Sequence, residues 1–111
     1  MFQISLNCIR ETVIFREGGE SLRLKVNVEP HTVMARLTQA QKQMHDLNEN
    51  SPEEEQKACA LDFAGAIFGE EQAKRLLDFY HQNASYTINV CSQYLVKRLS
   101  KKIIQAQKRG K

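Results

Sequence analysis

At Pro30 the hydrophobic period of this chain changes, and that change sets what it can fold into. Before it, apolar residues recur at every second position. Phe2, Ile4, Leu6 and Cys8 alternate with Gln3, Ser5 and Asn7, and Leu22, Leu24, Val26 and Val28 alternate with Arg23, Lys25 and Asn27. A period of two puts one apolar row on one face of a sheet. Between these runs, Thr12 to Arg16 is β-branched and aromatic at its centre, and Gly18-Gly19 can supply the positive φ values of a tight hairpin turn. Residues 1–29 therefore read as a small antiparallel sheet of two or three strands. Pro30 ends it, because proline cannot donate to the ladder and restrains the residue before it.

From Thr32 the period is helical. Val33, Leu37, Ala40, Met44 and Leu47 form one apolar stripe, which stops at the polar cluster Asn48-Glu49-Asn50. A second helix has Ser51 as its predicted N-cap, Pro52 at the first helical position, and Glu53 to Glu55 in the positively polarised first turn, with Glu54 at the capping-box position. From Ala58 to Phe68 its only polar side chain is that of Asp62, so it belongs at the centre of the helical portion. Gly69 is placed to end it in a left-handed turn, and Glu70-Glu71 opens a third helix with Ala73, Leu76, Leu77 and Tyr80 at helical spacing. Gln82 to Ser85 reads as the exit and the next cap. The last helix carries Ile88, Cys91, Leu95, Leu99, Ile103 and Ala106 on one side and Lys97, Lys101 and Lys108 on the other. The expected fold is α+β, one domain over 1–111: a β portion at 1–29, about four helices over 32–107, and a frayed basic tail at 108–111.

Charge is unevenly distributed. Residues 97 to 111 carry seven cations and no acid against a chain total of +3, so the preceding 96 residues sum to −4. A weakly acidic body with a basic end fits nucleic acid, an acidic protein surface, or head-to-tail self-association. Cys8, Cys59 and Cys91 are odd in number, far apart and without a C-x-x-C pair, which indicates neither a disulfide framework nor a zinc site and suits a reducing compartment. No apolar run approaches the roughly 20 residues that span a bilayer, and no signal-peptide pattern opens the chain, so the expected location is cytoplasmic with no membrane association.

Enzymatic chemistry finds little support. Gly18-Gly19 lacks the helix and Lys-Ser or Lys-Thr of a phosphate loop, and His31, His45 and His81 form no pair at i, i+3 or i+4. Cys59 and Cys91 sit in apolar stretches, where a thiol behaves as a small core residue. Asp62 reads as an edge residue beside one of the many cations, and Glu53 to Glu55 is explained by helix N-terminal electrostatics. The sequence assigns no catalytic residue, no cofactor and no metal. Along the last helix, Lys97, Lys101, Lys102 and Lys108, with the forked Arg98 and Arg109, could contact phosphates, which makes a small nucleic-acid-binding regulator the alternative reading.

The stretch Ala64-Gly65-Ala66-Ile67-Phe68-Gly69-Glu70-Glu71-Gln72-Ala73-Lys74-Arg75-Leu76-Leu77-Asp78-Phe79-Tyr80 resembles the tail assembly chaperones of long-tailed bacteriophages. In that family an apolar helix runs into Phe-Gly-Glu, a short helix ends in an aromatic pair such as Phe-Tyr, and a longer helix follows. The resemblance extends over about residues 58 to 104. It implies a non-enzymatic protein that keeps the tape measure protein soluble, recruits tail tube protein, forms homo-oligomers or spirals in the host cytoplasm, and is absent from the mature virion. In such phages a longer version is often made by translational frameshifting. A chaperone of this kind needs apolar surface beyond its own core. Phe63, Phe79 and Met34 lie off the principal stripes of their helices and are candidates for that surplus. The residues expected at partner contacts are Phe63, Phe68, Phe79 and Tyr80, with the cations Lys97, Arg98 and Lys101.

Overall fold

A computed structural model describes residues 8–47 and 50–109. The elements are β1 (Ile9–Glu17), β2 (Glu20–Val28), α1 (Pro30–His45), α2 (Glu53–Phe68), α3 (Glu70–Phe79), α4 (Ala84–Tyr94), a π-helical turn (Leu95–Leu99) and α5 (Ser100–Arg109). Since α4, the turn and α5 are continuous, a two-stranded antiparallel sheet is followed by four helices. The alternation at Phe2 to Leu6 lies outside the described residues.

The hairpin forms where its turn chemistry demands. Gly18 and Gly19 have φ of 55° and 87°, and pairing runs from Glu17 opposite Glu20 to Ile9 opposite Val28. Ile9, Phe15, Leu24 and Val26 point inward and are buried, so the register is held by the apolar row as well as by the turn. The second edge of β2 is covered at one point by a side chain. The Gln72 amide accepts from the Lys25 N–H (2.9 Å) and donates to the Lys25 C=O (2.7 Å) and the Phe68 C=O (2.6 Å).

Pro30 starts a helix as well as ending the sheet. It occupies the first position of α1, two residues before the expected start, where its missing N–H is no loss and its fixed φ suits the helix. Glu29 is the N-cap residue, and its carboxylate accepts from the Thr32 hydroxyl at 3.0 Å. The start of α2 is shifted by one from expectation: Pro52 is the N-cap residue and Glu53 the first helical residue. At the far end, α5 continues through Arg109, past the predicted limit at 107.

The apolar helix α2 packs against α1, α3, α4 and β2, and is the centre of the fold. Phe63, Ala64, Gly65, Ala66, Ile67 and Phe68 are consecutive and all buried, while Ala58 and Asp62 face outward. Gly69 then joins two helices with no linker. Its N–H donates to the Gly65 C=O and its C=O accepts from the Ala73 N–H, both at 2.9 Å. The expected left-handed turn is corrected here: φ is +88° but ψ is 159°, an extended conformation open essentially to glycine alone. The end of α3 is a Schellman motif, with bonds from Gln82 N–H to Leu77 C=O and from His81 N–H to Asp78 C=O. His81 and Gln82 both take positive φ, 60° and 63°. Asn83 caps α4, its side-chain oxygen accepting from the Tyr86 N–H at 3.0 Å.

Candidate functional site

The aromatic residues that carry the family resemblance are used internally. Phe15 of the hairpin meets Phe68 edge-on at 5.6 Å and Tyr80 at 6.3 Å; Phe68 stacks with Tyr94 at 5.8 Å; Tyr80 also meets Phe79 and Tyr86. Such pairs add to the area they bury, and here they tie the sheet to α2, α3 and α4. Phe63 is 1% exposed, and Phe68 and Tyr80 are also buried. The expectation that Phe63 presents surplus apolar surface is therefore corrected: it fills the core, where Phe68 and Tyr80, named as partner contacts, are buried beside it. Phe79 is half-buried against it, and Met34 is exposed.

The exposed apolar residues lie elsewhere, and three of them, Tyr86, Val96 and Ile104, share the last helix. Val96 is 69% and Ile104 52% exposed, in company with the exposed cations Lys97 and Lys101. Stepping about 100° per residue from Ile88, Ile104 falls about 160° away, in the middle of the basic back. That position was the available signal for it.

The predicted apolar stripe of this helix is met in part: Cys91, Leu99 and Ile103 are buried as expected, and the side chain of Ala106 lies outside the described residues. The buried positions are Ala84, Thr87, Cys91, Tyr94, Leu99 and Ile103, whereas Ile88 and Leu95 are only half-buried. The step of five from Tyr94 to Leu99 would rotate a side chain about 140° off the core in a regular α-helix. The π-helical turn absorbs it, with the Ser100 N–H donating to the Leu95 C=O. Tyr94 and Arg98, four residues apart, converge on Glu11 of β1. The Tyr94 hydroxyl donates to one carboxylate oxygen at 2.8 Å and Arg98 Nε to the other at 2.5 Å, with the Glu11 side chain 9% exposed. Burial, and then this hydrogen bond, push the Tyr94 phenol above its ordinary range. Of the three cations assigned to partner contact, Arg98 is thus engaged within the molecule, and Lys97 and Lys101 are exposed.

Nucleophilic chemistry gains nothing from the structure. Cys91 is buried and its thiol is pushed up to about 12 by that burial. Cys59 is raised by burial and then by Asp62 and Glu55. A thiol held protonated is a poor nucleophile. Asp62 lines a groove of about 390 Å³ with Arg36, Gly65, Glu70 and Lys74 between α1, α2 and α3. The Arg36 guanidinium lies over Gly65, where an added Cβ would stand 3.8 Å from it, an ordinary van der Waals contact. Among the described residues no group of three or more His, Cys, Asp or Glu side chains is placed to hold a metal ion, and no helix is long and apolar enough to cross a membrane. No family model, curated protein or solved structure matches this chain.

Proposed function

We propose that this chain is a non-enzymatic, protein-binding factor of phage tail assembly, a chaperone that shields the tape measure protein and recruits tail tube protein in the host cytoplasm before leaving the finished tail. The observation that carries the reading is the exposed pair Val96 and Ile104 beside Lys97 and Lys101, on a helix whose core contacts are met by other residues. Exposed apolar side chains among cations suit an amphipathic helical client, whose apolar face they would cover while the charges keep the complex soluble. The sequence resemblance supplies the client's identity. In this reading Phe68, Gly69, Phe79 and Tyr80 build the scaffold, and the last helix meets the partner.

The alternative, nucleic-acid binding along the same helix, has fewer free charges than the sequence suggests, because Arg98 is held by Glu11. The test is co-expression with the long coiled-coil tape measure protein, followed by size exclusion and light scattering. The expected result is a soluble complex with the unaltered chain and its loss with Val96→Asp/Ile104→Asp, whose two sites are exposed and leave the core untouched. A complex indifferent to both substitutions removes the last helix from the interface, and the absence of any complex removes the chaperone reading itself.

A further inference from the structure

The hairpin separates its charges by face. Its register puts Arg10, Thr12, Ile14 and Arg16 of β1 on the same side as Ser21, Arg23, Lys25 and Asn27 of β2, and all eight are exposed. Four are cations and none is an acid. The carboxylates of the two strands, Glu11, Glu17 and Glu20, belong to the opposite register, and Glu11 is closed off by Tyr94 and Arg98. Folding does not require this separation, because a solvated face accepts either sign and mixed signs would relieve the mutual repulsion of four cations. Ile14, 48% exposed, stands among them opposite Arg23.

We propose that this outward face of the hairpin binds double-stranded DNA. Three of the four cations are arginines, whose planar fork matches phosphate oxygens better than an ammonium does. Two strands about 4.8 Å apart and about 30 Å long make a ribbon narrow enough for the roughly 12 Å major groove of B-form DNA. The face carries no aromatic side chain, so it has no platform on which the bases of a single strand could stack. Duplex RNA is a poorer match, since its major groove is too narrow and deep for side chains to read. Thr12, Ser21 and Asn27 add donors without adding negative charge. This inference is independent of the tail-assembly reading and uses a different surface.

The test is fluorescence polarisation of a labelled DNA duplex of about 20 base pairs against the full chain across a salt series. If all four cations meet phosphates, the logarithm of affinity falls with that of salt at a slope of about −3.6, or roughly a hundred-fold between 50 and 200 mM. Arg16→Gln/Arg23→Gln is expected to reduce the slope to about −1.8, while Lys97→Gln/Lys101→Gln leaves it unchanged. All these sites are exposed, and circular dichroism verifies that each variant is folded. The proposal is overturned if the lysine variant loses binding and the arginine variant retains it, or if single-stranded DNA or duplex RNA binds as tightly. Displacement by polyglutamate at the same charge concentration as unlabelled duplex would assign the face to an acidic protein instead. Absence of salt-dependent binding also overturns it.

Discussion

Two glycines four residues apart should respond to the same substitution with opposite signs. Gly69 has φ +88° and ψ 159°, and a Cβ built there meets nothing within 4 Å. The cost of Gly69→Ala is therefore backbone strain alone, about 1–3 kcal/mol for a conformation of this kind. It is offset in part by the lower entropy of an unfolded chain with one glycine fewer, about 0.4–1 kcal/mol. The net expectation is about 1–2 kcal/mol of destabilisation. Gly65 is inside α2, buried, with a helical backbone, and its added methyl would lie 3.8 Å from the mobile end of Arg36, an ordinary contact. Gly65→Ala should thus recover the helical penalty of glycine and stabilise by about 0.5–1 kcal/mol. With a urea dependence of about 1.5 kcal/mol per molar, Gly69→Ala lowers the unfolding midpoint by about 1 M and Gly65→Ala raises it by about 0.5 M. Equilibrium urea unfolding followed by circular dichroism measures both. A neutral Gly69→Ala would mean that the junction between α2 and α3 does not hold its residue at positive φ. A destabilising Gly65→Ala would mean that Arg36 cannot yield, and either result refutes the reasoning.

The same logic runs in reverse at the end of α3, where His81 sits at the position of a Schellman motif that glycine favours. His81→Gly, exposed and at φ 60°, is expected to raise stability by about 0.5–1 kcal/mol, read as a higher melting temperature. Alkali should weaken the fold. Burial pushes Cys91 from its ordinary 9 up to about 12, and burial, then the neighbouring Tyr86, pushes Tyr80 from 10 up to about 12. Groups with raised values stay protonated in the folded chain while the unfolded chain loses its protons. Their stabilisation is complete below about pH 9 and declines towards pH 12, by up to about 1.4 kcal/mol per pH unit for each group. Urea midpoints measured from pH 7 to 11 should be level and then descend, and Cys91→Ala should flatten the first part of the descent, between pH 9 and 10. A midpoint that stays level to pH 11 would contradict this.

Local features of the fold were legible in the residues because their causes are local. Gly18-Gly19 between alternating runs makes a hairpin by its own turn chemistry, and Asn83 caps α4 by its own side chain. Phe63 departs from its expectation because distance from an apolar stripe has meaning only where a helix has an exposed face, and α2 is buried all round from Phe63 to Phe68. On the last helix, Cys91, Leu99 and Ile103 follow from the period, but Tyr94 in place of Leu95 does not, because a constant 100° step cannot represent a widened turn. The unequal steps among Thr87, Cys91, Tyr94, Leu99 and Ile103 become visible only when the core beneath them is known. The partners of the candidate site were beyond local reading for a similar reason. Glu11 lies 83 and 87 positions from Tyr94 and Arg98, and nothing near any of the three marks the others. Gln72 resembles any exposed residue of an α3 first turn until β2 is placed beside it.

The widened turn at Leu95–Leu99 bears on how the length of this chain can change. Removing one residue from an ordinary helix re-aims everything beyond it by about 100°. Here the helix already contains one residue more than its core contacts require. Without Val96, Tyr94 and Leu99 would stand four apart, and the buried positions from Thr87 to Ile103 would follow the 4-3-4-4 rhythm of an unbroken α-helix. The halves on either side would keep their places in the core, and the rearrangement would fall on the segment that carries Arg98 to Glu11. A single-residue deletion, ordinarily among the most damaging changes a helix can suffer, therefore has a site in this protein where the packing can accept it.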